Sequence, residues 1–154
     1  MRKLFVAAGL AGALVALPVS SAVSAGASTG HAFKGKGAGT LTLTGKQFVI
    51  DGKLKVAGVG TVSFHSSGTS NDSSVSYTTT FTGSNGETIT TASTGVARHT
   101  RLGRVYTTTD SVTGGTGRFA DATGKGKTVA KTTFATASST TGNVRFALAG
   151  RTRF

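Results

Sequence analysis

Residues 53–65 read Lys-Leu-Lys-Val-Ala-Gly-Val-Gly-Thr-Val-Ser-Phe-His. The even positions Leu54, Val56, Gly58, Gly60, Val62 and Phe64 are apolar or small, and Lys53, Lys55, Thr61, Ser63 and His65 occupy the odd ones. Side chains of a strand point alternately to opposite faces, so this period of two marks a half-buried strand. The same alternation sets Val75, Tyr77 and Phe81 against Ser74, Ser76, Thr78, Thr80 and Thr82. It returns where Val144, Phe146, Leu148 and Phe154 oppose Arg145, Arg151 and Arg153. Beyond the amino terminus, no segment has a helical period.

Turn chemistry divides the pattern. Asp51-Gly52 and Asn85-Gly86 are dipeptides favoured in two-residue hairpins, where both positions take positive φ. Thr140-Thr141-Gly142-Asn143 is a third turn candidate, and Ser66 to Asp72 reads as a longer polar loop. Strands are expected near Ala38–Thr44, Gln47–Ile50, Lys53–His65, Ser73–Thr82, Glu87–Gly95, Arg104–Val112, Lys125–Ala137 and Asn143–Arg153. The fold class this implies is all-β: an eight-stranded antiparallel up-and-down barrel, calycin-like, whose closure removes exposed edges. An open sheet or sandwich is the alternative. Gly58 and Gly60, on the inward parity, are expected to bend the longest strand at a barrel corner.

The amino terminus has a different logic. Met1-Arg2-Lys3 is followed by an apolar run from Leu4 to Leu17, then Pro18 and the small residues Val23-Ser24-Ala25-Gly26-Ala27. That is the layout of a secretory signal peptide, and the run is too short to span a bilayer. The expected organisation is a signal peptide over 1–27 and a single β-barrel domain over 28–154, secreted to the exterior or the cell envelope. The chain has no cysteine. Its stability must then come from packing and backbone hydrogen bonds, although that compartment permits disulfides.

The formal charge is +12. Lys34, Lys36, Lys53, Lys55, Lys125, Lys127, Lys131, Arg145, Arg151 and Arg153 all take the polar parity, giving a basic exterior that favours anionic cell-envelope polymers, lipid head groups or other polyanions. Specific nucleic-acid recognition would interleave aromatics with these cations, whereas the aromatics here take the opposite parity. Solubility alone is the plainer explanation of the charge.

One segment is more distinctive: Gly114-Gly115-Thr116-Gly117-Arg118-Phe119-Ala120-Asp121-Ala122-Thr123-Gly124-Lys125-Gly126. A phosphate-binding loop would place Lys-Ser/Thr directly after its last glycine and open a helix, but a strand pattern follows. The expected role is a tight structural loop of Gly114, Gly115 and Gly117 that folds Phe119 inward. From about Val112 to Gly126 the segment resembles the G-G-T/S-G-x-F…A-x-G signature of the allene oxide cyclase and dirigent barrel-like proteins, and small secreted bacterial proteins carry a similar GGTGRF. Asp121 departs from the small residue expected there. The resemblance implies an eight-stranded barrel with a central cavity. The cyclases of that family hold a fatty-acid epoxide in a greasy lumen, and dirigent proteins steer the coupling of phenoxy radicals. The matched residues are structural, so no catalytic residue transfers.

The residues themselves offer little chemistry. Asp110 is the one acid inside an expected strand, with Tyr106 on its parity; with Arg118 they are the candidates for a polar or catalytic site. A solvent-facing Asp110 is the plainer reading. Phe64, Tyr77 and Phe81 are expected to line a ligand cavity. His31, His65 and His99 lack metal-ligand spacing, and no pattern calls for a cofactor. The expected function is therefore non-catalytic: a monomer that binds a small apolar ligand or serves in the envelope. A cyclase- or dirigent-type enzyme is the alternative. An outer-membrane barrel, suggested by the terminal Phe154, is a second, and a threonine-rich surface-binding repeat ranks below it. Intact-mass analysis of the protein from its own culture medium is expected to show a chain beginning after Ala25 or Ala27; an uncut Met1 would refute the leader.

Overall fold

The computed structural model describes residues 30–154; the proposed signal peptide, 1–27, lies outside them. The described chain is a closed barrel of eight antiparallel strands in sequence order: β1 (His31–Thr44), β2 (Gln47–Val56), β3 (Gly60–Ser70), β4 (Ser74–Thr82), β5 (Thr88–Thr100), β6 (Gly103–Gly115), β7 (Thr123–Phe134) and β8 (Thr141–Arg153). Each strand pairs with its successor, and β1 closes the ring on β8 from His31↔Thr152 to Thr42↔Thr141. A single 3-10 turn, Gly117–Phe119, interrupts the β6–β7 connection.

The alternation assigns faces correctly, but several boundaries move. Asp51-Gly52 is not a turn: β2 runs through it, with Asp51 beside Thr40 on β1 and His65 on β3. The hairpin falls later, at Ala57–Val59, where Gly58 takes φ +77°, a left-handed conformation that glycine adopts without penalty. Gly58 and Gly60 therefore turn the chain between two strands and do not bend one long strand. The face assignment survives because both flanking strands keep their even residues inward. β1 starts seven residues before the expected Ala38, since its inward positions Gly35, Gly37 and Gly39 give no apolar signal. Ser66, placed in a loop by its polarity, is inside the barrel and bonded to Thr79 Oγ1 at 2.7 Å. Thr141–Asn143 opens β8 and is not a turn. The Asn85-Gly86 turn lies where expected, in the β4–β5 connection.

Two apolar clusters fill much of the interior. Leu41, Phe48, Val75 and Val144 are buried at one end with Leu43, Tyr106 and Phe134 against them. Leu54, Val62, Phe64 and Leu148 form the second, with Phe33, Phe81 and Phe146. Inward glycines are the counterpart of these rings. A Cβ on Gly37 would stand 2.6 Å from Phe146 Cζ, and one on Gly52 would stand 2.7 Å from Phe64 Cε1 and collide with the Ala38 carbonyl. The backbone itself is the surface on which the rings lie, and the strands coil tightly enough to close. Outward positions are mostly Lys, Arg, Thr, Ser and Ala, with Val49, Val96 and Val129 exposed among them, whereas an outer-membrane barrel turns a continuous apolar band to lipid.

Gly52→Ala should accordingly lower stability by about 1–3 kcal/mol, read as a shifted urea midpoint, while Lys53→Ala on the outer face stays within about 0.5 kcal/mol. Equal midpoints for the two variants would contradict the packing described.

Candidate functional site

The barrel encloses a cavity of about 470 Å³, within the range of small-molecule sites. Its two walls differ. On β1, β2, β8 and the start of β3 it is apolar, with Phe33, Leu54, Val62, Phe64, Phe146 and Leu148. On β4 to β7 the wall is mixed: Tyr77, Thr79, Thr91, Ser93, Asp110 and Thr128 bring oxygens in among Val75, Phe81, Ile89, Val112 and Ala130. Among the described residues no buried side-chain N or O lacks a hydrogen-bond partner.

Asp110 is the charge in this lumen. Its Oδ1 accepts from Thr108 Oγ1 at 3.0 Å and its Oδ2 from Thr128 Oγ1 at 2.7 Å. Since Thr108 donates to Asp110, its oxygen accepts from the Tyr77 hydroxyl, 3.1 Å away. The result is a directed chain, Tyr77 to Thr108 to Asp110, across β4 and β6, with Thr128 on β7 as the second donor. The Tyr77 hydroxyl is held above its ordinary pKa, first because burial disfavours the phenolate, and further by the nearby Asp110 charge; the neighbouring Thr108 and Ser93 hydroxyls pull the other way.

Sequence parity put Asp110 and Tyr106 on one face, and the structure does so as well, turning both inward. It does not join them. Four residues of strand separate them by roughly 13 Å, and Tyr106 packs into the Leu41 cluster. The phenol near Asp110 is Tyr77, expected only as an apolar liner. Phe64 and Phe81 line the cavity as expected, with ring centroids 6.4 Å apart. Thr108 and Thr128 were missed, because nothing local marks a threonine whose partner is fixed by strand register.

Arg118 is at the mouth, not with Asp110. The backbone N–H of Arg118 donates to Glu87 Oε1 at 3.0 Å, and its Nε lies 3.2 Å from Oε2. That N–H bond first, and the Asn85 amide next, hold the Glu87 carboxyl below the usual range. Gly117 makes the approach possible: it takes φ +60°, and a Cβ there would stand 2.7 Å from Glu87 Cγ. Gly114 and Gly115 precede it in the loop, where a Cβ on Gly115 would stand 2.9 Å from Phe119 Cβ. Phe119 turns in at the rim, edge-on to Phe154 with centroids 4.9 Å apart, under the Arg118 guanidinium at 4.7 Å. Phe154 also stacks on His31 at 5.1 Å. Asp121 is exposed.

Comparison with protein families, with curated proteins and with solved structures finds no match to this chain.

The chain has two tyrosines, so Tyr106→Phe isolates Tyr77 for ultraviolet titration of its phenol. Its midpoint should lie above the ordinary value near 10. Because the folded value exceeds the unfolded one, this stabilisation is intact below pH about 10 and fades as pH rises through the folded value. An ordinary midpoint in a barrel still folded would remove the burial argument.

Proposed function

We propose that the barrel binds a small, largely apolar and uncharged molecule bearing a hydroxyl or N–H group, with that group on Asp110. The observation that carries this reading is Asp110, the carboxylate inside the lumen below its rim, set across from the apolar wall of β1, β2 and β8. A carboxylate has about four lone-pair sites, and the two threonines supply one donor each to that of Asp110. A ligand donor completes the set, whereas a ligand carboxylate meets like charge in a low-dielectric space. The apolar wall takes the ligand's body at about 25 cal/mol per Å² of surface removed from water. The resemblance of the Gly114–Gly126 loop to allene oxide cyclase and dirigent barrels supports a lumen with an occupant, and the signal-like sequence of residues 1–27 supports a role outside the cytoplasm.

A cyclase- or dirigent-type enzyme is the second reading, and the hydroxyl relay from Tyr77 to Asp110 is what favours it. Carriage ranks first because paired acid–base chemistry wants two acids in reach. The other carboxylate lining the cavity, Glu87, is at the rim on Arg118.

Nile red, a neutral probe, should bind once per chain with blue-shifted emission, and 1-dodecanol should displace it at lower concentration than dodecanoate. Asp110→Asn should cost dodecanol roughly tenfold in affinity, in line with a hydrogen bond to a charged acceptor, and narrow its advantage over dodecanoate. Ala130→Phe, which fills the lumen between Tyr106 and Phe146 in register, should abolish binding in a variant still folded by circular dichroism. Full Nile red binding by that variant, or a preference for dodecanoate, would overturn the assignment.

A further inference from the structure

The cations of the exterior are not spread evenly. Strand register places them in successive rows on β7, β8, β1 and β2. Nearest the mouth, Arg153 flanks Thr123, and Lys125 sits beside Arg151. Lys127 and Lys34 follow on either side of Ala149. The next row pairs Lys36 with Lys55, and the one after pairs Lys131 with Arg145, with Lys53 across Ala38. One row further the cations stop, and the register reads Thr133, Asn143, Thr40, Asp51 and His65. All the lysines and arginines in these rows are exposed. The outer faces of β3 and β4 are serine and threonine in the main.

At the same end of the barrel stand exposed apolar side chains. Val59, at the β2–β3 turn, is 61 % exposed, and Phe154, just past β8, is 49 % exposed; both border the cavity opening. The mouth is therefore an apolar tip beside a basic collar. The side-chain carboxylates there are Glu87, already held by Arg118, and exposed Asp121. The opposite end carries fewer cations, Lys46, Arg98, Arg101 and Arg104, and an exposed Leu102; the Leu41 cluster packs there, and Asp72 contacts Arg104 and His99.

We infer that the barrel docks mouth-first on an anionic lipid surface, the collar drawn to the head groups and Val59 and Phe154 entering the interface. Basic residues attract negatively charged leaflets, and exposed apolar side chains among them add burial at the head-group boundary. A soluble polyanion would use the collar but gain nothing from the tip. The docking itself stands without an occupied lumen; that it lets a lumen ligand pass to or from the lipid rests on the binding function proposed above.

The test is co-sedimentation of the isolated protein with vesicles of phosphatidylcholine alone or containing phosphatidylglycerol, with no ligand added. The protein should sediment with the anionic vesicles only and release as salt rises. Neutralising Lys34, Lys36 and Lys55 together to Gln should weaken binding roughly a hundredfold at low salt. Val59→Ser with Phe154→Ser should also weaken it, whereas Arg98→Gln with Arg101→Gln at the opposite end should change it little. Equal losses from the two ends, or binding untouched by the tip substitutions and matched on dextran sulfate, would overturn lipid docking and leave a diffuse or polymer-directed charge. Nile red affinity of the triple lysine variant separates the two proposals: retained dye binding with lost sedimentation places the defect at the collar, and the reverse failure falls on the lumen alone.

Discussion

The pairing of β1 with β8 is the contact on which the rest of this molecule depends. Without it, the meander would be a sheet with two long edges, each a row of unpaired N–H and C=O groups open to another chain. Closing the ring demands that β1 curve sharply while its neighbours bring rings inward. The inward residues Gly35, Gly37 and Gly39 meet both demands: they leave no side chain to crowd the axis, and they give Phe146 and Phe64 a bare backbone to lie on. Glycine inside a strand costs roughly 0.5–1 kcal/mol relative to alanine. Here that cost is offset by ring burial, which is worth about 1.5–3 kcal/mol per large apolar side chain.

A lumen with two chemistries follows from this. Aromatic and aliphatic groups gather where β1 makes room, over β1, β2 and β8. The opposite wall is built from Ser66, Thr79, Thr91, Ser93, Thr108 and Thr128, all buried. Buried hydroxyls are tolerable only when paired, and three of the pairings here run between strands. Ser66 to Thr79 ties β3 to β4, Tyr77 to Thr108 ties β4 to β6, and Thr128 to Asp110 ties β7 to β6. The polar wall thereby fixes strand register as well as lining a cavity.

Faces were legible in the sequence because a period of two is a local property. Boundaries were legible only where side chains announced them. Asp51-Gly52 has strong intrinsic turn chemistry, yet Gly52 is needed as the floor under Phe64, and tertiary packing overrode the local preference. The first half of β1 was silent because its inward residues are glycines, and Ser66 misled because an inward hydroxyl looks like a loop residue. Asp110 was visible as the one acid inside an expected strand, but its inward face was not: a solvent-facing carboxylate was the plainer expectation. Its true companions were not visible either: Tyr77 is 31 residues from Thr108 along the chain, and Thr128 is 18 from Asp110. Such distances become contacts only once the register is known. Arg118 was drawn toward Asp110 by its place in the loop, but Glu87 captures it at the rim.

Register also sets the cations of the collar against one another. Like charges placed directly across strands are destabilising, and the fold contains three such pairs on one side: Lys36 with Lys55, Lys125 with Arg151, and Lys131 with Arg145. Carboxylates opposite those lysines would have given the same solubility with mild attraction, as His65 and Asp51 do one row beyond at 2.7 Å. Exposure keeps each repulsion small, and salt screens it further. Gathering the pairs on one side of the barrel still raises the local potential there. An anionic surface on that side would relieve the repulsion, and the relief would add to the attraction that holds the protein there.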